Sequence, residues 1–411
     1  MNSRERVRQV LNHKEPDRVP IDIGSMRSTG ISAIAYNRLI KKLGITDKCL
    51  MYDFQQQLAY PGELVRDRFH VDAIDVGQAF VDDIVWKNWS LNDGSGCLIP
   101  DYLHIEQDST GNVTLRNDEG VALGKKPRTS LYTEQCYWPY GAEEFIPDNL
   151  DDRQMEKNMW SIPCPPFHLN IQGRDRDTFV KAVKVMRTKT DRAMMISLGQ
   201  SFFECGQYIR GTETFLMDIY LDRSGVNRLL DRLLENYMHK LSIIFTDISD
   251  DIDIVQFGDD LGTQNGPWMN PEVIKELFIP RYKKLWDYVH AHSNCKVFMH
   301  SCGSIYQILP ALIDAGLDII NPVQTSASGM DAIRLKTEFG EHLTFWGGGC
   351  DTQGVLANSR PEQVKGDVKR RLEIFMKGGG YVFNQIHNIL ADVPAENIIA
   401  MYDAAYEFGA Y

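Results

Sequence analysis

The sequence predicts a (β/α)8 barrel, an α/β fold, and two observations carry that prediction. Short apolar runs alternate with longer amphipathic segments along most of the 411 residues. Polar residues follow directly after nearly every apolar run. Strands that alternate with helices build parallel sheets, and eight such units close into a barrel whose functional residues follow the strand ends. We expect one domain over residues 1–411, interrupted once, at 80–165.

The first elements are marked by caps and turns. Asn2 and Glu5 have the spacing of a helix capping box, and a helix from there should end before Pro16. The next predicted elements are a first strand over 21–24, helices over 33–43 and 59–69, and a second strand over 72–77.

Residues 80–165 have a different pattern, with turn sequences such as Asn92-Asp-Gly94 between short alternating runs. This pattern predicts antiparallel hairpins inserted after the second strand. The segment is rich in aromatic residues, which either cover the barrel mouth and pack an aromatic substrate or form a small core of their own. They are Trp86, Trp89, Tyr102, Tyr132, Tyr137, Trp138 and Tyr140.

Regular alternation resumes after residue 166. The predicted strands cover 194–199, 252–258, 295–300, 318–321, 343–347 and 380–384. The predicted helices cover 175–188, 225–247, 270–291, 304–315, 328–338, 361–377 and 394–408.

Composition excludes several classes of protein. The chain is 43% hydrophobic and 24% charged, which allows a large core. Its net charge of −12 argues against nucleic acid as a partner. The sequence contains neither an apolar stretch of about 20 residues, as a membrane span needs, nor a signal-peptide pattern. We therefore expect a cytoplasmic protein with no membrane partner, whose eight cysteines are mostly buried thiols.

Three residues suggest a metal site. His300 and Cys302 follow one predicted strand and Cys350 follows another, so a barrel would bring them to a common mouth. Three such ligands can hold Zn²⁺ and leave its fourth position open, as in catalytic zinc sites. The alternative is that both cysteines are ordinary buried thiols.

Other polar residues follow the predicted strands. We expect Glu204, Asp260 and His387 to be catalytic, with Glu204 as a fourth metal ligand or a proton-handling group. Asp259 and Asp260 could also cap the next helix or bind backbone amides, and His387 could be structural. The residues expected to bind substrate are Arg27, Gln200, Asp259, Gln264 and Asn321.

Several motifs together resemble one family, the uroporphyrinogen decarboxylase superfamily. They are Asn12-His-Lys-Glu-Pro-Asp-Arg-Val-Pro20, Asp72-Ala-Ile-Asp75, His300-Ser-Cys-Gly303, Gly348-Gly-Cys-Asp-Thr-Gln353 and Gly380-Tyr-Val-Phe-Asn384 with His387 and Asp392-Val-Pro-Ala-Glu-Asn397. The resemblance covers about residues 2–408 apart from the insertion, and it implies a single (β/α)8 barrel with its site at the C-terminal mouth.

The resemblance implies two chemistries. Decarboxylases of the family carry two arginines in an N-terminal motif, whereas this chain keeps only Arg27. The cobamide-dependent methyltransferases resemble it in having H-x-C and a later cysteine as zinc ligands, which implies Zn²⁺ on His300, Cys302 and Cys350. The chain lacks a D-x-H-x-x-G corrinoid-binding motif, so a corrinoid (cobalamin) would be carried by a separate partner protein.

The leading hypothesis is a zinc-dependent methyltransferase that moves a methyl group between a small O-methylated substrate and a corrinoid protein. One alternative is a divergent decarboxylase that acts on a carboxylated substrate without metal, using Arg27, Asp75 and His387. A second alternative is a non-catalytic barrel that binds a small molecule. The sequence is compatible with a homo-oligomer but does not specify one.

Overall fold

The structure is a computed structural model that describes residues 1–411. Fourteen α-helices are present. They are α1 (Ser3–Leu11), α2 (Ala33–Leu43), α3 (Glu63–Arg68), α4 (Asp152–Met155), α5 (Arg176–Lys189), α6 (Phe203–Arg210), α7 (Thr212–Leu221), α8 (Arg223–Ile248), α9 (Pro271–Leu277), α10 (Ile279–His292), α11 (Leu309–Asp314), α12 (Ala332–Phe339), α13 (Pro361–Phe375) and α14 (Ala395–Phe408).

Sixteen strands accompany them. They are β1 (Ile31–Ser32), β2 (Met51–Asp53), β3 (Leu58–Ala59), β4 (Ala73–Asp75), β5 (Trp86–Ser90), β6 (Gly96–Pro100), β7 (His104–Gln107), β8 (Val113–Arg116), β9 (Ala122–Lys126), β10 (Glu134–Gln135), β11 (Ala193–Gly199), β12 (Ile254–Gly258), β13 (Lys296–His300), β14 (Ile319–Asn321), β15 (Thr344–Trp346) and β16 (Tyr381–Val382).

Seven parallel strands form the central sheet, in the order β16-β15-β14-β13-β12-β11-β4. The gap between the two edge strands is spanned by Ile21, which pairs in parallel with Val71 on one side and with Phe383 on the other. The predicted barrel is therefore confirmed. The first strand, predicted over 21–24, is reduced to this one pairing residue, because the chain turns at Gly24, which has a positive φ of 76°.

The barrel interior is filled by side chains from its strands, as is usual for this fold. Helix α1 covers the N-terminal ends of the strands and adds apolar side chains to the same cluster. Phe298 and Trp346 meet edge to face at its centre, with ring centroids 5.6 Å apart. The cluster is Val7, Val10, Leu11, Met26, Ala73, Ala193, Met195, Ile254, Phe298, Ile319, Trp346 and Val382.

The outer helices differ from the sequence prediction in three places. The helix predicted over 270–291 is two helices, α9 and α10, that meet at Phe278, where Pro280 in the following turn removes a backbone donor. The helix predicted over 59–69 is only α3, since 58–59 belong to β3. Helices α6 and α7 were not predicted, and α6 lies directly after β11 at the mouth.

The segment 80–165 contains two antiparallel sheets, the hairpin β5-β6 and the four-stranded sheet β10-β9-β8-β7. Its later part docks on α6. The Gln135 side-chain amide donates to the Tyr208 carbonyl at 2.7 Å, and the Tyr140 N–H donates to the Ile209 carbonyl at 3.0 Å. Most of its aromatic residues pack against hydrophobic clusters that include barrel residues, so they do not form a separate core of their own, whereas Tyr132 and Trp138 are exposed.

None of the helices combines the length and the apolar character that crossing a lipid bilayer requires.

A buried carboxylate holds the barrel closed. Asp72, fully buried, accepts the backbone N–H of Ile21 at 2.9 Å and hydrogen bonds from the guanidinium groups of Arg6 and Arg18. It therefore joins the N-terminal segment to the β4 edge of the sheet. Removing one partner of a buried ion pair leaves an uncompensated charge in the interior.

We predict that Asp72→Asn destabilises the fold by about 3 kcal/mol, because two arginines lose their buried counter-charge. The measurement is urea unfolding followed by circular dichroism. Asp118→Asn is the matched control, since the Asp118 side chain is 98% exposed and should leave the unfolding midpoint unchanged. An Asp72→Asn midpoint equal to that of the control would contradict this account of closure.

Candidate functional site

Three neighbouring strands end together at the barrel mouth. His300, the last residue of β13, pairs in register with Gly258 at the end of β12 and with Asn321 at the end of β14. Chemistry-bearing side chains in the loops that follow are thereby brought to one place. Gly303, with a φ of 81°, lets the chain turn immediately after Cys302.

His300, Cys302 and His387 form a cluster that could hold a metal ion. One ligand atom from each lies within 4.8 Å of the other two. The Cys302 Sγ is 3.3 Å from the His300 Nε2, and the two imidazole rings meet edge to face with centroids 5.4 Å apart. One thiol and two imidazoles are ligand types found in zinc sites.

The orientation of the His300 ring is fixed by Asn321. The Asn321 side-chain NH₂ donates to the Trp346 carbonyl at 2.8 Å, so its Oδ1 faces His300. This oxygen lies 2.5 Å from His300 Nδ1, which must therefore carry the proton and donate it. In the neutral ring Nε2 then has the lone pair and faces the cluster, the arrangement usual for histidine ligands of metals. Asn321, expected to bind substrate, holds a histidine instead.

Two carboxyl groups border the cluster. Asp260 Oδ1 lies 3.6 Å from His300 Nε2 and accepts the Cys302 N–H at 2.8 Å. Glu204 accepts the Asp260 N–H at 3.2 Å through one oxygen and the Tyr208 hydroxyl at 2.6 Å through the other. Hydrogen bonds thus link Glu204, Asp260, Cys302 and His300, and His387 lies against the His300 ring.

Burial shifts the titration of these groups. It raises the pKa of Glu204 well above its usual range, and the charges of Asp260 and Asp259 raise it further. It also raises the pKa of the Cys302 thiol, reinforced by Asp260 and Glu204. Burial, with His300 adding to it, lowers the pKa of His387 to about 4, so this imidazole is neutral at pH 7 and has a lone pair to offer.

Asp259 positions the backbone at the start of α6, which carries Glu204. Its carboxylate, fully buried, accepts the backbone N–H groups of Phe202, Phe203 and Glu204 at 2.8 Å each and a hydrogen bond from the Tyr282 hydroxyl. Burial raises its pKa to about 6, although these hydrogen bonds oppose the shift. These contacts match the alternative in which Asp259 binds backbone amides, and they fix the start of α6 and thereby the position of Glu204.

Cys350 does not join the cluster. It is fully buried, and its Sγ lies 4.0 Å from the Asp351 carbonyl. Burial raises the pKa of its thiol, and Asp367 of the outer helix α13 is the next largest cause. The sulfur therefore faces the helical layer, and the predicted group of His300, Cys302 and Cys350 is not assembled in this structure. His387 occupies the third place.

Three other residues expected to bind substrate lie apart from the cluster. Arg27 pairs with Asp53, with Nε 3.2 Å from the Asp53 Oδ2. Gln200 is buried and donates to the Tyr237 carbonyl at 3.5 Å, while its Oε1 has no hydrogen-bond partner. Gln264 lies in an exposed loop, where its carbonyl accepts the Ser328 N–H at 2.9 Å.

Arg27 and Asp75 belong to a second polar group at the mouth. Asp75, at the end of β4, accepts the Gly77 N–H at 2.8 Å and lies 3.4 Å from the Tyr60 hydroxyl. Burial raises its pKa to about 7, while the hydrogen bonds and Arg27 act in the opposite direction.

The sequence analysis did not predict two tyrosines that donate hydrogen bonds to carboxyl groups of the site, Tyr208 to Glu204 and Tyr282 to Asp259. Tyr208 follows Glu204 by four residues, a spacing that puts both on one helix face and could have been noticed. Its ring also stacks on Trp160 of the 80–165 segment, with centroids 5.6 Å apart. Tyr282 reaches Asp259 from α10, and no local sequence signal indicates that contact.

Comparison with known proteins agrees with this architecture. Residues 167–408 match the family described as uroporphyrinogen decarboxylase (URO-D). The solved structure of a methyltransferase from Methanosarcina mazei is similar over 99% of both chains, with a TM-score of 0.57 and 14% sequence identity. At that identity the likeness shows the fold alone.

Curated relatives match a shorter stretch. The uroporphyrinogen decarboxylase of Methylococcus capsulatus is 32% identical over 102 residues, 25% of this chain and 27% of the relative. That of Psychromonas ingrahamii is 33% identical over 101 residues, with the same coverage of 25% and 27%. The matched region thus spans about a quarter of the length of these relatives.

The fold and the residues at its mouth are those of an enzyme family of α/β barrels. In such barrels the site lies at the C-terminal ends of the strands. More particularly, the chain belongs to the uroporphyrinogen decarboxylase family, because the family match covers more than half of its length.

The raised pKa of Asp75 predicts a pH-dependent stability. An aspartate in the unfolded chain has a pKa of about 3.9. The folded state, with a pKa of about 7 for Asp75, holds the proton more tightly, so this group's contribution to stability is lost as the pH rises from about 4 to about 7. The melting temperature of Asp75→Asn relative to wild type should therefore rise across that window and level off above it.

Calorimetry or circular dichroism at several pH values between 4 and 8 measures this difference. Asp118→Asn provides the exposed control, for which the difference should stay constant. A flat difference for Asp75→Asn would show that the carboxyl ionises normally in the folded protein.

Proposed function

We propose that the protein is a zinc-dependent methyltransferase that moves a methyl group between a small O-methylated substrate and a corrinoid carried by a separate protein. The observation that carries this proposal is the group of one thiol and two imidazoles at the barrel mouth, with all ligand atoms within 4.8 Å of one another. A decarboxylase that works without metal would have no use for such a group.

The residues present fit a zinc ion. His300 Nε2 is directed into the cluster by Asn321, His387 is neutral at pH 7, and Cys302 supplies the soft ligand. Asp260 lies 3.6 Å from His300 Nε2 and would add negative charge beside the ion. When bound, Zn²⁺ would supply Lewis-acid polarisation of the ether oxygen of the substrate.

His387 replaces Cys350 in this proposal. A single thiolate neutralises less of the zinc charge than the two thiolates of the original hypothesis would, and this favours polarisation of a weakly basic ether oxygen. Cys350 lies beside Asp367 and belongs only to the ligand set predicted from the sequence. Its substitution therefore distinguishes that set from the set that contains His387.

Glu204 is the residue suited to move a proton. Its raised pKa favours the protonated carboxyl, and Tyr208 and the Asp260 N–H fix its two oxygens. Loss of the methyl group leaves an alkoxide or phenolate, which a positioned acid can protonate. Asp259 keeps Glu204 in place through the start of α6.

The corrinoid is assigned to a partner because the chain lacks a D-x-H-x-x-G motif. The likeness to a methyltransferase of Methanosarcina mazei supports this branch of the family at the level of fold.

A divergent decarboxylase remains the second candidate, and the Arg27–Asp75 group favours it. Arg27 could bind a substrate carboxylate beside the proton-holding Asp75. The names of the curated relatives point the same way, although they match only a quarter of the chain. A non-catalytic barrel that binds a small molecule is the third candidate.

We predict that purified protein binds about one Zn²⁺ per chain and that Cys302→Ser and His387→Gln each weaken binding at least roughly tenfold, because each removes a ligand. Competition with a chromophoric chelator, together with elemental analysis, gives the stoichiometry and the affinity.

Two cysteine variants sharpen this measurement. Cys136→Ser, half-buried in the insertion, is the control and should retain full affinity. Cys350→Ser should also retain it if His387 is the third ligand. Loss in Cys350→Ser with retention in His387→Gln would restore the original ligand set, and wild-type protein without affinity for zinc would end the proposal.

We further predict methyl transfer from methoxylated aromatic compounds to free cob(I)alamin, seen as the absorbance change when methylcobalamin forms. Glu204→Gln should lower kcat by roughly a hundredfold with little change in KM, because it removes the acid and keeps the shape of the site. Uroporphyrinogen is the comparison substrate. Loss of carboxylates from it, with no methyl transfer from any donor, would favour the decarboxylase, and inactivity on both would favour the binding barrel.

A further inference from the structure

Cys49 and Cys97 lie side by side where the N-terminal part of the barrel meets the insertion. Leu50 and Leu98 form a parallel bridge, and the Leu98 N–H donates to the Cys49 carbonyl at 2.8 Å. Each cysteine directly precedes its bridged leucine, so the two side chains share one face of the paired backbone. Adjacent strands lie about 4.8 Å apart, within the range of about 4.4–6.8 Å that separates the Cα atoms of a disulfide.

Both cysteines also line the same cavity. It has a volume of about 550 Å³, and Lys48, Trp89 and Gln107 contribute to its wall. Each cysteine is only 6% exposed. Burial raises the pKa of both thiols, that of Cys97 to about 12, and the neighbouring Cys97 is the next largest cause of the shift at Cys49. The two thiols are therefore buried neighbours.

Helix α2 contacts both segments that carry these cysteines. The side-chain amide of Asn37 on α2 donates to the Gly96 carbonyl at 3.0 Å and to the Ser95 hydroxyl at 3.1 Å. Cys49 itself donates a weak hydrogen bond to the Ala33 carbonyl at 3.6 Å. Joining the sulfur atoms would need side-chain rotation, with the backbone kept in place by these contacts.

We propose that Cys49 and Cys97 form a reversible disulfide that links the β5-β6 hairpin covalently to the segment before β2. The oxidant is a small-molecule disulfide such as glutathione disulfide. Its S–S bond breaks as the protein S–S bond forms. The two cysteines lose two electrons and two protons, and the oxidant leaves as two thiols. The proposal is independent of the function proposed for the barrel mouth.

Burial sets the rate of this exchange. The thiolate is the reacting form, and raised thiol pKa values keep its population small at neutral pH. Both formation and reduction should therefore be slow and should accelerate as the pH rises. The disulfide would therefore be a long-lived cross-link of the hairpin. Fast redox sensors, in contrast, use exposed thiols of low pKa.

The test uses the full-length protein, first reduced and then incubated in glutathione buffers of increasing oxidised fraction at pH 8. Free thiols are blocked with N-ethylmaleimide before mass spectrometry. We expect a loss of about 2 Da on oxidation, two fewer blocked cysteines and a cross-linked peptide pair that contains Cys49 and Cys97. The oxidised protein should melt several degrees above the reduced form.

Single variants identify the pair. Cys49→Ser and Cys97→Ser should each abolish the mass loss and the rise in melting temperature, whereas Cys136→Ser should keep both. Folded wild-type protein that keeps all its thiols in excess glutathione disulfide would overturn the proposal. So would a peptide map in which either cysteine carries only a glutathione adduct or pairs with another cysteine.

Discussion

The site depends on one buried carboxylate. Asp259 directly follows β12, and its carboxylate accepts hydrogen bonds from three backbone N–H groups at the start of α6. These N–H groups would otherwise lack partners. This interaction sets the start of α6, which in turn sets Glu204 and, one turn later, Tyr208. Because the 80–165 segment docks on the carbonyls of Tyr208 and Ile209, the position of the insertion depends on the same carboxylate.

The alternating pattern of the sequence was enough to predict the barrel because each strand carries its own apolar signal. The exceptions have local physical causes. Ile21 pairs with both edges of the sheet but has no strand around it, since Gly24 turns the chain three residues later. Helix α7 lacks a strong apolar stripe of its own. Contacts with residues distant in sequence hold this helix pair, through Asp259 at the start of α6 and through Arg210, which donates to the carbonyls of Tyr140 and Glu143.

The mouth could be located from sequence, but its ligand set could not. Spacing placed His300, Cys302, Cys350 and His387 near the ends of three strands, and it contains no information on the direction of each side chain. Cys350 follows Gly347 and Gly348, whose positive φ values of 129° and 66° turn the chain. The sulfur then faces Asp367 on α13, a contact between residues too far apart in sequence for any motif to reveal. His387, with its own positive φ of 64°, turns toward His300 instead.

The electrostatics of the mouth explain why these residues suit a cation. The charges of Asp260 and Asp259 raise the pKa of Glu204, and Asp260 and Glu204 also oppose ionisation of Cys302. A positive ion beside such groups stabilises their ionised forms. His387, whose pKa is lowered to about 4, adds a lone pair and no competing charge. The acidic surroundings therefore suit the metal ion proposed for these three atoms, and Glu204, linked to them through Asp260, is the group positioned to exchange a proton with the substrate.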